Sequence, residues 1–477
     1  MLLLLACSGE PTPPAKDDTG DTGAATDDTG GDTDTRTRPP PPRRLNGDLD
    51  LGEGVKLSGT VVGDAAGISV SGAGDVTGDG DADVLVGAWH ALDEVGEAYV
   101  VAGPVTDDFP LSASLVTVAG EAAEDRVGWR VAGPGDLNGD GVGEVLVASP
   151  WSDFGTTDAG AAGLFFGPLS AGDRLLSAAD VFWTGQVDDD RLGMDAAAAG
   201  DVNGDGLADV VVGMPGSAAG KGRTYVYFGH ADGVASGRAE FQGEVAGDET
   251  GTGVARAGDL DGDGLDDVAI AAPGVSDGAG VVYVVAATNA LPSELADAPL
   301  RVSGPAGGEL GSALLGAGDV DGDGDDDLLV GAPRYSGALS LEGAVFVVGG
   351  GTTGAVLADD LPKITGDLAL AFAGTSLAAA DLDGDGAGDL AVGVPNASES
   401  DSYAGLVALL YGPWSSVTGL SGATGRLLGA DAQGLAGTAV ANAGDSDGDT
   451  WDNLVVGVPG AELSTTYASA AYLVPVR

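Results

Sequence analysis

The chain has 477 residues and a formal net charge of −55, from 74 Asp and Glu against 19 Lys and Arg. Such an acidic surface repels phosphates, which excludes nucleic acid and anionic membrane surfaces as partners and favours cations. With 43% hydrophobic residues the chain is too apolar for a disordered acidic polymer, and its two histidines, His90 and His230, leave little for zinc or histidine-based catalysis.

The N-terminal sequence MLLLLACSGE places the single cysteine, Cys7, after a short apolar run. Leu4-Leu5-Ala6-Cys7 resembles the lipobox of bacterial lipoproteins, whose cysteine is lipidated after signal cleavage. Only six residues precede Cys7 and none is basic, so we expect the true start codon to lie upstream. Residues 1–7 are therefore predicted to be a signal remnant. The protein is then lipid-anchored in the bacterial cell envelope, at the outer membrane or cell surface, or else secreted; the alternative is a chance apolar N-terminus.

Residues 8–53 are predicted to form a disordered tether. Ser8 to Arg44 consists mainly of Asp, Thr, Gly and Pro, with too few apolar residues to bury the surface that folding requires. A flexible stretch of this kind would hold the following domain away from a surface. A disordered terminus without a spacer role has the same composition.

From Gly54 onwards the sequence is periodic. Seven acidic turns begin 58 to 65 residues apart, and each lies between a strand of small residues and an apolar strand such as DLLVGAP, with two further strands after a loop. The apolar strands lack polar alternation, which is typical of strands buried on both faces. Small residues in segments such as DAAAAGD fit strands that crowd around an axis.

The two ends of the repeat region indicate a closed ring. The strand GVKLSG, Gly54 to Gly59, precedes the first acidic turn, whereas the last repeat ends on its third strand, SAAYLVPVR. The early strand can therefore complete the last sheet and remove the free edges. We predict an all-β fold in which residues 54–477 form one seven-bladed β-propeller, closed by an N-terminal strand in the last blade.

The acidic turns carry the predicted chemistry. Side-chain oxygens recur at positions 1, 3, 5 and 9 with glycine at position 4, as in DVDGDGDDD from Asp319 to Asp327, and position 7 can offer its backbone carbonyl. Ca²⁺ takes many oxygen ligands in irregular geometry, whereas Mg²⁺ requires a stricter octahedron. An EF-hand is disfavoured because these turns enter strands rather than helices. Turns without metal would leave three or four carboxylates unneutralised, so we predict several Ca²⁺ ions, up to seven.

The segment LVGAP, Leu329 to Pro333, and its variants VVGMP, AIAAP, AVGVP and VVGVP resemble the GAP element of FG-GAP repeats, the units of integrin α-subunit propellers. The FG element is degraded to forms such as VGWRVAG and LGMDAAAAG. The resemblance covers residues 54–477 and implies seven blades with calcium between the first two strands of each. Integrin propellers carry such sites on only some blades, so seven would be a departure.

Residue by residue, the resemblance places metal ligands in every turn. The first turn has Thr77 at position 3, and the last has Asn453 at position 9. The predicted ligands are Asp75, Asp79 and Asp83; Asp136, Asn138, Asp140 and Glu144; Asp201, Asn203, Asp205 and Asp209; Asp259, Asp261, Asp263 and Asp267; Asp319, Asp321, Asp323 and Asp327; Asp381, Asp383, Asp385 and Asp389; and Asp445, Asp447 and Asp449.

Function is predicted to lie on the face opposite the acidic turns, where the repeats cease to resemble one another. Variable loops on a rigid scaffold commonly bind ligands, and ligands of integrin-like propellers bind this face. The candidate contacts are Trp89, His90, Trp151, Phe154, Tyr335 and Tyr403. Each of these aromatic residues could instead pack onto its own loop.

The favoured function is a monomeric, non-catalytic, calcium-binding surface module for adhesion or for binding a protein or glycan. One alternative is a polysaccharide-acting enzyme that uses paired carboxylates, with Asp188 to Asp190 or Glu124 and Asp125 as candidates. The other is a structural envelope protein.

Overall fold

The computed structural model describes residues 45–287, 294–320, 322–383, 385, 387–412, 418–460 and 469–475. These residues belong to one compact unit, Pro41–Arg477. They form seven sheets, and two strands, β1 (Gly47–Asp50) and β2 (Val55–Ser58), precede the first repeat. Cys7 and residues 8–44 of the predicted tether lie outside the described residues.

Four strands form each of seven blades, here called blades 1 to 7. Blade 1 comprises β3 (Ser69–Gly74), β4 (Asp83–Ala88), β5 (Glu97–Val101) and β7 (Val116–Ala119), while β6 (Phe109–Pro110), which lies between β5 and β7 in the chain, pairs with β2. Blade 2 comprises β8 (Arg130–Ala132), β9 (Val145–Ser149), β10 (Ala161–Phe165) and β12 (Val181–Thr184), while β11 (Gly172–Leu175) pairs with β7 of blade 1. Blade 3 comprises β13 (Ala196–Gly200), β14 (Asp209–Met214), β15 (Arg223–His230) and β16 (Gly233–Gln242).

Blade 4 comprises β17 (Gly253–Gly258), β18 (Asp267–Ala272), β19 (Val281–Val285) and β20 (Leu300–Ser303). Blade 5 comprises β21 (Ala313–Gly318), β22 (Asp327–Ala332), β23 (Ala344–Val348) and β25 (Lys363–Thr365), while β24 (Gly354–Leu357) pairs with β20 of blade 4. Blade 6 comprises β26 (Leu377–Ala380), β27 (Asp389–Val394), β28 (Leu406–Leu410) and β29 (Gly425–Leu428). Blade 7 comprises β30 (Val440–Gly444), β31 (Asn453–Val458) and β32 (Ala470–Pro475), together with β2.

Helices are short throughout the described residues. Single turns of α-type occur at Ala91–Glu94, Ser217–Gly220 and Val275–Gly278, and 3₁₀ turns at Leu51–Glu53, Leu111–Ala113, Leu176–Ala178, Leu295–Asp297, Ala358–Asp360 and Leu420–Gly422. Each 3₁₀ turn buries its first residue and leads into the outer strand of a blade. None of the described helices is long and apolar enough to cross a membrane.

The blades close into a ring, as predicted. Their innermost strands contact one another in the cyclic order β3, β8, β13, β17, β21, β26 and β30, and β30 returns to β3. Blade 7 is completed by β2, which pairs antiparallel with β32 at Leu57 and Ala471. Residues from both ends of the repeat region thus share one sheet, which confirms the closure inferred from the strand order.

Burial follows the predicted division between inner and second strands. Every residue of the second strands β4, β14, β18, β22, β27 and β31 is buried, because each of these strands is covered on both faces by neighbouring blades. The inner strand β13 carries the run Ala196 to Gly200, and the small side chains allow it to approach the inner strands beside it. Its place in the sheet overrides the helical propensity of alanine.

The folded region extends further upstream than the predicted boundary at Gly54. Strand β1, within the stretch assigned to the tether, pairs parallel with β29 in blade 6. The physical reason is a run of leucines: Leu51 is fully buried, and Leu45 and Leu49 pack against the same core cluster. In addition, the Leu45 N–H donates to the Tyr411 hydroxyl at 2.9 Å.

Neighbouring blades approach one another through glycine. The Gly67 N–H donates to the Gly87 carbonyl within blade 1, and the Gly67 carbonyl oxygen faces blade 7. A Cβ at Gly457 would lie only 1.9 Å from that oxygen. The Gly213–Gly251 contact between blades 3 and 4 repeats this approach at 1.9 Å. The glycines of the repeat thus permit backbone-to-backbone packing between blades.

A pair of glycine substitutions tests this packing. Gly63 and Gly67 both have positive φ, of 85° and 88°, but a Cβ at Gly63 meets nothing within 4 Å whereas one at Gly67 lies 2.4 Å from the Ala470 carbonyl oxygen. We expect Gly63→Ala to cost about 1–2 kcal/mol through backbone strain alone, and Gly67→Ala to cost about 1–3 kcal/mol more through overpacking. Urea denaturation measures both, and equal losses would contradict tight packing between blades 1 and 7.

Candidate functional site

Each acidic turn joins the first strand of a blade to the second. Position 9 begins or immediately precedes the second strand and is at most 1% exposed in every blade, whereas positions 4 to 6 lie at the surface or partly buried in the described turns. The turns therefore have a buried base and a more exposed tip, and all seven lie at one end of the propeller, here called the turn face.

The carboxylate at position 1 holds the turn in a coil by accepting hydrogen bonds from the backbone N–H groups of positions 4 to 6. In blade 3, Asp201 Oδ1 accepts hydrogen bonds from the N–H groups of Gly204 and Asp205, at 2.7 and 3.1 Å, and its Oδ2 accepts from Gly206 at 2.8 Å. Asn203 at position 3 accepts a further hydrogen bond from the Asp205 N–H at 2.9 Å. The chain is thus coiled so that side-chain oxygens face its interior.

The carboxylate at position 9 ties the turn to the rest of its blade. Asp209 Oδ2 accepts from the Val202 N–H at 3.0 Å, and its Oδ1 accepts from the Gly229 N–H near the end of the third strand at 2.8 Å. Asp267 repeats both bonds, with Leu260 and Ala287 as donors. Position 9 is therefore a structural residue as well as a candidate metal ligand.

Burial makes the charge at position 9 unfavourable. It raises the pKa to about 7 for Glu144, Asp209 and Asp267 and to about 6 for Asp389, although backbone N–H donors lower it in each case. The position 1 carboxylates contribute further repulsion at Glu144 and Asp209. A cation bound inside the turn would stabilise the ionised carboxylates.

Four turns bring acidic oxygens close enough to share one ion. In each, one ligand atom per residue lies within 4.8 Å of the others. The groups are Asp136, Asp140 and Glu144; Asp259, Asp261 and Asp263; Asp381, Asp383 and Asp385; and Asp445, Asp447 and Asp449. Among the described residues, blades 1 and 3, with Thr77 and Asn203 at position 3, form no such group, whereas blade 2 forms one from positions 1, 5 and 9 although its position 3 is Asn138. Asp321 lies outside the described residues, so the blade 5 set cannot be assembled in full.

The donor set fits a hard cation. The predicted ligands supply only carboxylate, amide and backbone carbonyl oxygens, which are the ligands of Ca²⁺ and Mg²⁺ rather than of softer metals. The second and last turns differ at position 9: Glu144 Oε1 and Asn453 Nδ2 are both buried without a hydrogen-bond partner. An amide nitrogen cannot ligate a cation, whereas the orphaned Glu144 oxygen is a suitable ligand.

In blades 4 and 5, an aspartate at position 8, which was not among the predicted site residues, connects adjacent turns. Asp326 Oδ2 in blade 5 accepts from the Asp259 N–H in blade 4 at 3.0 Å, and Asp266 Oδ2 in blade 4 accepts from the Asp201 N–H in blade 3 at 2.9 Å. Asp266 also pairs with Arg256 at 2.6 Å. Asp326 and Asp259, like Asp266 and Asp201, lie about one repeat apart in the sequence. Their contact therefore follows from the packing of adjacent blades and not from a local motif.

On the opposite face, three tryptophans from blades 1 and 2 form a cluster. Trp129 lies between the two predicted contacts Trp89 and Trp151, with ring centroids 6.0 and 4.4 Å apart. His90 packs edge-on against Trp89 at 5.0 Å. Trp89, His90 and Trp151 were predicted contacts, whereas Trp129 was not, because it precedes the first strand of blade 2 rather than lying in a loop between second and third strands.

A single arginine organises this tryptophan cluster. The Arg126 guanidinium lies 5.1 Å from the Trp89 ring centroid and 5.2 Å from that of Trp151. Glu94 holds it through its Oε2, at 3.0 Å from Nε and 2.7 Å from Nη2. Trp129 and Trp151 are half-buried beside this fixed positive group, whereas the predicted contact Trp89 is buried, with 8% of its surface exposed.

The other three predicted contacts lie apart from this cluster. Phe154 packs edge-on against Phe182 at 5.0 Å, and Tyr335 packs against the buried Phe346 at 5.7 Å. Both therefore contact neighbouring aromatic residues of the scaffold. Tyr403 is 49% exposed on the same face in blade 6.

Two of the acids proposed for catalysis serve as loop caps. Asp125 is 4% exposed, and its Oδ2 accepts from the N–H groups of Glu121 and Ala122 at 2.8 and 2.7 Å. Asp190 is 5% exposed and accepts from two N–H groups of its own loop in the same way. Asp125 and Asp190 thus stabilise their loops by hydrogen bonding, which explains why both occur between the fourth strand of one blade and the first strand of the next.

Comparison with known protein families agrees with this architecture. A family model described as FG-GAP repeat matches residues 127–165, 311–357 and 373–410, and one described as FG-GAP-like repeat matches residues 201–270. The chain therefore contains FG-GAP repeats, and they form the blades of its propeller.

Curated proteins with similar sequences include integrin α chains. Integrin alpha-PS5 of Drosophila melanogaster is 34% identical over 151 residues, covering 29% of this chain and 14% of that protein. Human integrin alpha-IIb is 36% identical over 154 residues, with coverages of 29% and 14%. A phosphatidylinositol-glycan-specific phospholipase D of Rattus norvegicus is 34% identical over 169 residues, covering 33% of this chain and 20% of that protein. The similarity thus spans a small part of each relative.

Substitution at one turn tests the metal geometry. Asp263 at position 5 in blade 4 belongs to a three-carboxylate group, whereas Asp81 at position 7 of the blade 1 turn could offer a metal only its backbone carbonyl. We expect Asp263→Ala to reduce the number of divalent ions bound per chain by about one and Asp81→Ala to leave it unchanged. Mass spectrometry of the native protein counts the ions, and equal occupancy in both variants would contradict the ligand assignment.

Proposed function

We propose that this propeller of FG-GAP repeats is a calcium-binding, non-catalytic cell-surface module that binds a protein or glycan ligand through the face opposite its acidic turns. The supporting observation is the cluster of Trp89, Trp129 and Trp151 around Arg126. Flat aromatic surface beside a fixed cation suits both sugar rings and protein hot spots. Its place on variable loops over a rigid ring favours recognition over scaffolding.

Calcium is the proposed ion because of the shape of the turns. Each supplies several side-chain oxygens from alternate positions of a tight turn and one from position 9. Ca²⁺ accepts many oxygens in irregular geometry, whereas Mg²⁺ requires a near-ideal octahedron. The ions would neutralise part of the negative charge at the turn face and leave the opposite face free for the ligand. Calcium would thus support function by rigidifying the scaffold.

We further propose that the mature protein is attached to the bacterial envelope by a lipid on Cys7 and acts as a monomer. The lipobox-like sequence before Cys7 supports the anchor, and the net charge of −55 disfavours both self-association and nucleic acid as a partner. A lipid anchor would be the only contact with the membrane. The alternative of a structural envelope protein predicts no saturable ligand.

Removal of calcium should destabilise the fold, because an ion that binds only the native state stabilises it by mass action. Thermal unfolding measured in excess Ca²⁺ and in EDTA is expected to show a midpoint lower in EDTA by roughly 10 °C or more, as several sites contribute. Added Mg²⁺ should restore the midpoint only in part. An unchanged midpoint in EDTA would exclude the linkage between calcium and stability.

A glycan and surface-protein array, probed with the calcium-loaded protein, tests ligand binding. We expect Trp151→Ala to weaken binding of any captured ligand by about tenfold or more, as for a central aromatic contact. Tyr403→Ala is the matched control, because it removes an exposed aromatic residue from the same face outside the cluster. Equal effects of both variants would place the site elsewhere, and turnover of a polysaccharide on the array would favour the enzyme alternative.

A further inference from the structure

The outer edge of blade 2 lacks a strand that most other blades possess. Parallel strands cover the outer strands of four blades: β6 on β2, β11 on β7, β24 on β20 and β1 on β29. Parallel bridges cover two more, from Gln242 to Glu294 and from Thr365 to Gly419. Within the described residues, however, β12 of blade 2 pairs with β10 alone.

The cause of this difference lies in blade 3. In the covered blades, the covering segment precedes the outer strand of the following blade. In blade 3, β15 and β16 instead form a direct hairpin in which His230 pairs with Gly233. Gly233 lies against the Phe166 ring of blade 2 and Val234 packs against the core cluster shared by blades 2 and 3, but no described strand of this hairpin pairs with β12. The edge of β12 is therefore left uncovered by the shape of the next repeat.

The register of the covered blades shows what this edge can accept. Gly47, Gly172 and Gly354 each donate an N–H to the carbonyl of the residue just before an outer strand, at 2.7 to 3.0 Å. In blade 2 the equivalent carbonyl belongs to Asp180, and it accepts no backbone hydrogen bond from the described part of the chain. Because the Gly185 N–H donates to Gly160, alternation along β12 directs the backbone groups of Phe182 and Thr184 outwards.

A groove of about 440 Å³ runs beside this edge, between blades 2 and 3. Its aromatic wall is Trp183, half-buried and stacked on Tyr227 with centroids 4.3 Å apart. Arg238 lines the same groove and lies exposed, with its guanidinium carbon 4.0 Å from the Tyr225 ring centroid. Among the described residues Arg238 forms no ion pair with a carboxylate, and the nearby Glu240 pairs with Arg223 instead.

We propose that the groove beside β12 binds an extended acidic peptide segment of a partner protein, which adds to blade 2 as a parallel fifth strand. Its backbone would hydrogen-bond to the Asp180 carbonyl, to the backbone of Phe182 and to the Thr184 N–H, and one of its carboxylates would pair with Arg238. Side chains on one face of the added strand would pack against Trp183. This site is separate from the ligand site proposed on the opposite face.

Two observations favour a peptide over a glycan. The outward-facing groups at the edge are backbone groups spaced for a strand, although the Thr184 carbonyl already accepts a hydrogen bond from Gln186 Nε2 at 3.1 Å. The other blades fill the equivalent place with extended chain. Arg238 favours a carboxylate on this segment, because it lines the groove without an ion-pair partner among the described residues. The covering strand β1, of sequence GDLD, shows that acidic residues are compatible with such pairing.

The test uses the full-length protein and a synthetic peptide of sequence LNGDLDL, which copies Leu45 to Leu51 with blocked ends. Hydrogen–deuterium exchange should show saturable protection of the Phe182 and Thr184 amides. Arg238→Ala is expected to weaken binding of the peptide by about fivefold or more, as for loss of a charge-assisted hydrogen bond. A peptide with both aspartates replaced by lysine should give no protection.

Arg301→Ala provides the matched control. Arg301 also lies over a tyrosine, 5.4 Å from the Tyr283 ring centroid, but its strand β20 is already covered by β24. This variant should bind the peptide like the unmodified chain. The proposal is overturned if the β12 amides remain unprotected at about 1 mM peptide, if the lysine peptide binds equally well, or if a uronate oligosaccharide rather than the peptide binds in an Arg238-dependent manner.

Discussion

The propeller depends on a close approach of backbone to backbone between adjacent blades. In every blade a glycine with positive φ precedes the inner strand, and its φ varies only between 83° and 93°. These glycines are Gly67, Gly128, Gly193, Gly251, Gly311, Gly374 and Gly437. The facing position in the second strand is glycine in five blades but Ala148 and Ala271 in blades 2 and 4, so the loop glycine is the stricter requirement. Once the blades meet at this distance, the turns of neighbouring repeats necessarily lie side by side.

That proximity explains why the acidic residues have more than one task. Asp209 holds its turn by accepting two backbone hydrogen bonds, and Asp266 and Asp326 connect one turn to the next. Burying such carboxylates without a cation is unfavourable, as the raised pKa of Asp209, about 7, shows. These acidic residues therefore hold the turns and the ring together, and their charge does not mark a ligand-binding surface.

Local patterns in the sequence predicted the features that each repeat builds by itself. The acidic turn, the apolar second strand and the closure through Val55 to Ser58 all follow from motifs shorter than one repeat and from their order. Features that join distant residues were missed. Trp129 joins the tryptophan cluster only because blades 1 and 2 are adjacent, and Asp326 finds its partner about one repeat away. The folded region begins upstream of the predicted boundary at Gly54, because Leu45, Leu49 and Leu51 in an otherwise polar stretch suffice to anchor β1.

The arrangement of the first described residues has a mechanical consequence. Residues 45–58 cross the joint between the first and last repeats, with β1 added to blade 6 and β2 completing blade 7. A force applied upstream of Leu45 would act first on the hydrogen bond to Tyr411 and on the pairing of β1 with β29, before it reached β2. Because blade 6 retains its own four strands without β1, that strand can yield while the ring stays closed. Strand β1, whose loss leaves the ring closed, thus lies between such a force and β2, which closes the ring.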